Sequence, residues 1–241
     1  MLPTGSMHLV LRLEGPGLRL YRDGDDACGL ELGRAVVGGA RDRPYLRDVS
    51  MPVRSIGAQL RPGAAPLLFG VPADELAHRH TPLDALFGRE TSVLHERLAD
   101  AREPSRALDV FEGFLASKLR EKNLDPLVAH ALSRLRDRTP LACIVEESGF
   151  SHRHFIARFR CAVGLSPKTY ARVLRVQHAL RLMPTSPSLA RVAFDAGYSD
   201  QAHFTREFRD ITGLLPSRHR ALVLRDANHV PWVKSFQDDG R

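Results

Sequence analysis

In the second half of the chain apolar positions recur at helical spacing, and the recurrence is written twice. Leu141, Ile144 and Val145 mark a short helix that Gly149 stops, and Phe155, Phe159 and Ala162 mark a second at i, i+4 and i+7. Val192 with Gly197, followed by Phe204, Phe208 and Ile211, repeats the pattern. The two runs, Leu141–Pro167 and Leu189–Pro216, share one register. Gly149 matches Gly197, Phe150 matches Tyr198, Phe155 and Phe159 match Phe204 and Phe208, and Gly164 and Pro167 match Gly213 and Pro216. One extra residue separates turn from helix in the second copy. Ser151 and Asp200 stand where helix N-caps belong, and Phe150 and Phe155 where a hydrophobic staple would join. Each copy predicts a helix, a glycine turn and a helix, the unit whose second helix enters the DNA major groove. Its duplication says more than either half alone.

The remaining pattern supplies a frame. Leu127–Arg136 reads as a scaffold helix ahead of the first copy. Between the copies, Ser166 caps and Pro167 opens a long helix through about Met183, ended by Pro184. Its apolar side holds Tyr170, Val173, Leu174 and Leu180, and Lys168, Arg172 and Arg175 point elsewhere. At about 1.5 Å per residue it spans roughly 25 Å, a spacer suited to two recognition helices about 34 Å apart on DNA.

The first half leads with strands: Met7–Leu13, Leu18–Tyr21, Val36–Val37 and Val53–Leu60, with a turn at Asp23–Asp26 and a break at Arg61-Pro62-Gly63. Short helical pieces follow at Pro72–His78 and Thr81–Phe87, then amphipathic helices at Thr91–Arg102 and Ser105–Glu121. In the last, Leu108, Phe111, Leu115 and Leu119 form a stripe with Phe114 beside it, too short for sustained heptads and read as closing a core rather than a dimer seam. The fold expected is α+β: a mixed, β-rich N-terminal part with helices (1–121), a junction at Glu121–Pro126, and an all-α part of two helix-turn-helix units joined by a long helix (126–225). A polar tail (226–241) carries Trp232 and Phe236.

Charge sharpens this division. The formal net charge is +7. Residues 125–225 hold sixteen Lys and Arg against eight Asp and Glu, while the remainder holds nineteen against twenty. The positive excess sits on the part that bears the repeat, as a phosphate-binding surface requires. Opposite the apolar stripes lie Arg153, Ile156, Ala157 and Arg160 in the first copy, and Gln201, Ala202, Thr205, Arg206 and Arg209 in the second. Arg and Gln suit bidentate contacts to guanine and adenine, and Ala, Ile and Thr methyls suit thymine.

These features resemble the AraC/XylS family of bacterial transcription regulators, most strongly over Asp125–Arg220. The resemblance rests on the Gly-[Phe/Tyr]-Ser turns at Gly149–Ser151 and Gly197–Ser199, the run Phe204–Arg209, and the closures Gly164–Pro167 and Gly213–Pro216, the latter followed by Ser217, Arg218, His219 and Arg220. It implies double-stranded DNA as partner, with both recognition helices in successive major-groove segments on one DNA face. The base-facing residues it carries over are Arg153, Ile156 and Ala157, then Gln201, Ala202, Thr205 and Arg206. Ser151, Arg160, Lys168, Ser199, Arg209 and Arg218 are the expected phosphate contacts. Ile156 and Ala157 stand where relatives are often polar or basic, which leaves Arg153 as the first helix's polar reader. The run Val53–Gly70 resembles the end of the cupin-like sensor domain that precedes many such DNA-binding regions, so the chain is expected to begin inside that domain. A small-molecule effector there, RNA polymerase and a second copy of the chain are the further partners that the resemblance admits.

Other classes find little support in the sequence. Cys28, Cys143 and Cys161 are scattered, with no C-x-x-C pair, and fit a reducing cytoplasm rather than a disulfide framework. They also fall short of the four clustered cysteines of the zinc–cysteine methyl acceptor that certain alkylation-repair regulators carry. His78-Arg79-His80 invites a metal, but two histidines two apart share no helix face and no further ligands cluster nearby. No G-x-S-x-G, H-E-x-x-H or phosphate-loop pattern occurs, so no catalytic residue, metal or cofactor is expected. No apolar run approaches membrane-spanning length. The competing reading is an architectural DNA binder without sequence preference, which a basic surface alone would give.

Overall fold

β1 (Met7–Arg12) turns Met7, Leu9 and Leu11 into the core on alternate positions. In this computed structural model, which describes residues 1–51, 53–119, 123–222, 224 and 226–231, β1 is an inner strand of a four-stranded antiparallel sheet. It pairs with β4 (Ala35–Gly38) on one side, Leu9 opposite Val37, and with β6 (Ser55–Leu60) on the other, Leu9 opposite Ala58. β7 (His80–Pro82) closes the order β6-β1-β4-β7. A second antiparallel sheet, β3-β2-β5, is built from Leu30–Glu31, Arg19–Tyr21 and Leu46–Arg47.

Five helices complete this half: α1 (Ala64–Phe69), α2 (Ala73–Leu76), α3 (Asp84–Phe87), α4 (Glu90–Asp100) and α5 (Pro104–Lys118). Two expectations are corrected here. Thr81 and Pro82 are not helical; they pair with Val37 and Val36 as the edge strand β7, and helix resumes only at Asp84. Proline pushes the preceding residue extended and is tolerated on a sheet edge. In α5 the buried stripe is Ala107, Phe111 and Phe114, while Leu108 and Leu119 are exposed. Both stripes have helical spacing, but the aromatic one meets Phe87, whose ring lies 5.5 Å from that of Phe114, and aromatic burial carries more area. Of the junction at Glu121–Pro126, Glu121 and Lys122 lie outside the described residues.

The C-terminal half is helical: α6 (Pro126–Arg136), α7 (Leu141–Ser148), α8 (His152–Val163), α9 (Pro167–Leu182), α10 (Leu189–Asp195), α11 (Gln201–Thr212) and α12 (Pro216–Ala221). Both expected repeats form, α7–α8 and α10–α11, each packed on α9. The caps are in place: the His154 N–H donates to Ser151 Oγ at 3.4 Å, Thr169 N–H to Ser166 Oγ at 3.1 Å and His203 N–H to Asp200 Oδ1 at 2.7 Å. The staple is different. Phe155 is fully buried against Phe159, and Phe150 stays exposed, stacked on His154 at 4.9 Å. The core stripe claims Phe155, so its partner at the helix entrance is a histidine ring. Val163, rather than half-buried Ala162, completes the buried stripe of α8.

One apolar cluster runs from the sheet through α1 and α2 into α8, α9 and α11. The halves meet closely at Gly164, which ends α8 with φ 90°. A Cβ there would stand 3.0 Å from both the Ala73 carbonyl oxygen and Met7 Cε, so glycine meets a backbone and a packing demand together. Residues 226–231 also dock: Leu2 N–H donates to the Asn228 carbonyl at 2.9 Å, and Gln177 of α9 donates to Pro3 O and Asn228 Oδ1, each at 2.6 Å. Trp232 and Phe236 lie outside the described residues.

A buried carboxylate fixes α11 on α9. Glu207, 6 % exposed, accepts from Arg172 Nε at 3.0 Å and from Arg175 Nε at 2.8 Å. Glu207→Ala removes the buried acceptor of both arginines, which are themselves about a third exposed, Arg172 keeping Asp210 at 3.2 Å, and should cost about 2 kcal/mol in urea unfolding. An unchanged unfolding midpoint would show that solvent satisfies these arginines without Glu207.

Candidate DNA-binding surface

The apolar stripes decide which way each recognition helix faces. In α8, burial of Phe155 and Phe159 leaves Arg153, Ala157 and Arg160 exposed and Ile156 half-buried against the core. In α11, burial of Phe204, Phe208 and Ile211 leaves Gln201, Ala202, Arg206 and Arg209 exposed and Thr205 half-buried. Thr205 donates its hydroxyl to the Gln201 carbonyl at 2.8 Å, which leaves its methyl as the unengaged end of the side chain. Among the described residues, Arg153, Arg160, Arg206 and Arg209 make no ion pair within 4.0 Å. They stand available to an outside anion.

The expected phosphate contacts are less uniform. Lys168 is exposed at the start of α9, and Ser151 and Ser199 are exposed at the two turns. Ser151 is already the cap of α8, and Ser199 Oγ donates to Asp200 Oδ2 at 3.1 Å. Arg218 is half-buried in α12.

Other basic residues serve the frame. Arg158 donates twice to Asp125 Oδ2, at 2.9 and 2.6 Å, and Asp125 is itself the N-cap of α6. Arg134 and His130 share Glu147. Arg172 and Arg175, expected to lie off the apolar side of α9, turn onto Glu207, and Arg175 also covers the Tyr198 ring at 5.0 Å. Burial first, then the nearby Glu207, pushes the Tyr198 phenol far above its ordinary value. The sequence holds a signal for this seam: Glu207 stands beside Phe204 and Phe208 at i+3 on a buried face, and an acid there implies a partner.

The N-terminal half contains a different polar cluster. Arg41, 8 % exposed, donates to the Gly39 and Arg79 carbonyls at 3.2 and 3.1 Å, and its guanidinium lies 4.4 Å above the Tyr45 ring. His80 meets Arg41 Nη2 at 3.1 Å and His8 lies beside it. Burial, reinforced by Arg41, pushes His8 down to about 4 and His80 to about 3, so both rings are neutral at neutral pH. His78 instead faces Asp42 at 3.5 Å. His78 and His80 thus take separate partners, and no group of three His, Cys, Asp or Glu side chains is placed to hold a metal among the described residues. The three cysteines are free and exposed.

Comparison with known proteins adds to this geometry. A family model described as a helix-turn-helix domain matches residues 144–221, which span both repeats, and a domain of unknown function matches residues 1–82. The MmsAB operon regulatory protein of Pseudomonas aeruginosa is 28% identical over 240 residues, covering 89% of this chain and 75% of that protein. The F1 operon positive regulatory protein of Yersinia pestis is 36% identical over 81 residues, 33% of this chain and 27% of its own length. The transcriptional activator RhaR of Salmonella dublin is 28% identical over 109 residues, 45% of this chain and 39% of RhaR. The helix-turn-helix match covers the part of the chain whose motifs resemble the AraC/XylS regulators. Among solved structures, ToxT from Vibrio cholerae aligns over 91% of each chain with 12% identity and a TM-score of 0.48. The chain thus carries a helix-turn-helix domain and is similar over most of its length to a bacterial operon regulator. Among its described residues no helix is long and apolar enough to cross a membrane.

Asp200 makes one surface property testable. Hydrogen bonds from the His203 N–H first, and then from Ser199, hold its carboxyl below the ordinary value, with Arg206 adding to the effect. A carboxyl lowered in the folded state stabilises above the usual carboxylate range, and that contribution is lost as pH falls through the lowered value. Asp200→Asn keeps a capping acceptor but removes the charge. Its melting temperature should fall below that of the parent chain at neutral pH and converge with it in acid; a gap that does not change with pH would place the effect elsewhere.

Proposed function

We propose that the regulator reads two successive major-groove segments, with α8 and α11 as its recognition helices. Arg153, Ile156 and Ala157 face bases from the first; Gln201, Ala202, Thr205 and Arg206 face them from the second. Arg160, Lys168 and Arg209, with Ser151, Ser199 and Arg218, hold phosphates and set register. The observation that carries this reading is that both exposed stripes stand in equal register on one shared helix, with arginines that make no ion pair among the described residues. The polar reader of the first stripe is Arg153 alone, so the second stripe supplies most of the hydrogen-bonded discrimination.

In this reading residues 126–225 form the DNA-binding unit and residues 1–121 the regulatory one, working in the cytoplasm at the nucleoid. A small-molecule effector would act through the regulatory unit. A cleft of about 670 Å³ between Tyr21, Arg47, Asp48 and Val49 on one side and His229 and Val230 on the other has the size of a small-molecule site. RNA polymerase and a second copy of the chain are the protein partners suited to such a regulator.

Selection of sites by the full chain from random duplex DNA tests the reading. The expected product is a bipartite motif whose parts lie about one helical turn, ~34 Å, apart. A single-part motif would reduce α8 to a clamp, and salt-sensitive binding with no motif would leave an architectural binder. On the selected site Arg206→Ala should cost about 1–3 kcal/mol and relax preference at one position. Equal loss on every sequence would make Arg206 a phosphate contact.

A further inference from the structure

α6 ends unlike most of its neighbours. After α7, α8 and α11 the chain turns through Gly149, Gly164 and Gly213, with φ of 69°, 90° and 74°. At the corresponding position after α6 stands Arg138, with φ 62°. The end is a complete Schellman turn: Arg138 N–H donates to the Leu135 carbonyl at 3.2 Å and Thr139 N–H to the Arg134 carbonyl at 3.0 Å. That turn favours glycine, because an L side chain is strained in the left-handed region. A side chain kept at such a position calls for a use of its own.

Arg138 has one within reach. Its guanidinium crosses to the second repeat, where Nη1 donates to the Asp195 carbonyl at 2.9 Å, in the last turn of α10. The carbonyl end of a helix attracts a cation. The guanidinium passes beside Gly197, where a Cβ would lie 3.8 Å from Nη1, an ordinary contact distance. The contact borders a cleft of about 580 Å³ lined by Arg138 and Pro140 ahead of the first repeat, Leu141 of that repeat, Ala196 and Gly197 from the second, and Arg181 of α9. Each repeat also packs on α9, and the first rests on α1, α2 and α6 as well. Arg138, just ahead of the first helix-turn-helix unit, therefore reaches across to the last residue of α10 in the second.

We propose that Arg138 is a positioning residue that fixes the angle between the two recognition helices, and hence the spacing between DNA half-sites that the regulator accepts. The inference rests on the two-helix reading proposed above. Removing the strut frees a hinge at the cleft, so binding to the preferred spacing weakens while binding to other spacings is spared. Glycine at this position relaxes the left-handed turn, and asparagine tolerates it with a side chain too short to reach α10.

The test uses the full chain and three duplexes: the selected bipartite site, and the same site with one base pair inserted or removed between its parts. The parent chain should prefer the selected spacing. In Arg138→Gly and Arg138→Asn that preference should fall about fivefold, the order expected for one hydrogen bond, with no loss of melting temperature in the glycine variant. Arg138→Lys, which still carries a donor, should restore part of the preference. A preference unchanged in both Gly and Asn variants overturns the proposal. Equal weakening on all three duplexes also overturns it, by making Arg138 a phosphate contact. A parent chain indifferent to spacing would instead bring down the two-helix reading itself.

Discussion

Glu207 sits between two arginines of α9, and the second recognition helix owes its orientation to that contact. A carboxylate so little exposed is costly unless paired, so α11 cannot roll about its axis without stranding charge. The rest of the surface follows. With Glu207, Phe204 and Phe208 turned inward, Gln201, Ala202 and Arg206 have only the outward side left. The first repeat reaches the same result through the same position. Arg158, which matches Glu207 in register, holds Asp125 at the start of α6. Each recognition helix is thus fastened by charge to the helix ahead of its own repeat, Arg158 on one carboxylate and Glu207 on two arginines, with the signs exchanged between copies.

Aromatic packing makes that register durable. Phe155 and Phe159 in one copy, Phe204 and Phe208 in the other, are fully buried, and close-packed interiors tolerate little rotation. Charged fastenings and apolar stripes agree on a single orientation. Agreement between levels of this kind is what lets a sequence specify one structure.

This agreement also explains what could be read from the chain. The repeat was legible because glycine turns, caps and paired phenylalanines recur at fixed offsets, each a local signal. The candidate reading faces followed as the complements of those stripes. Features made by distant contacts were not legible. β3, β5 and β7 are strands of two or three residues, too short for alternation to show, and they exist because a neighbour pairs with them. The choice between two stripes on α5 was made by Phe87, outside that helix. The roles of Arg172, Arg175 and Arg158 needed partners more than thirty residues away. Arg138 carries no local signal, because its role rests on a backbone angle and on a partner in the second repeat.

The closeness of the two halves at Gly164 makes the regulator an unequal balance. There the end of α8 rests almost directly on the backbone at Ala73 and on Met7 of β1, with no side chain of its own as a cushion. The end of α11 meets the same half beside Pro44, at an ordinary contact distance. A displacement of the sheet would pass to the first repeat with little give, while the second keeps its hold on α9. The sheet is thereby coupled more tightly to one repeat than to the other.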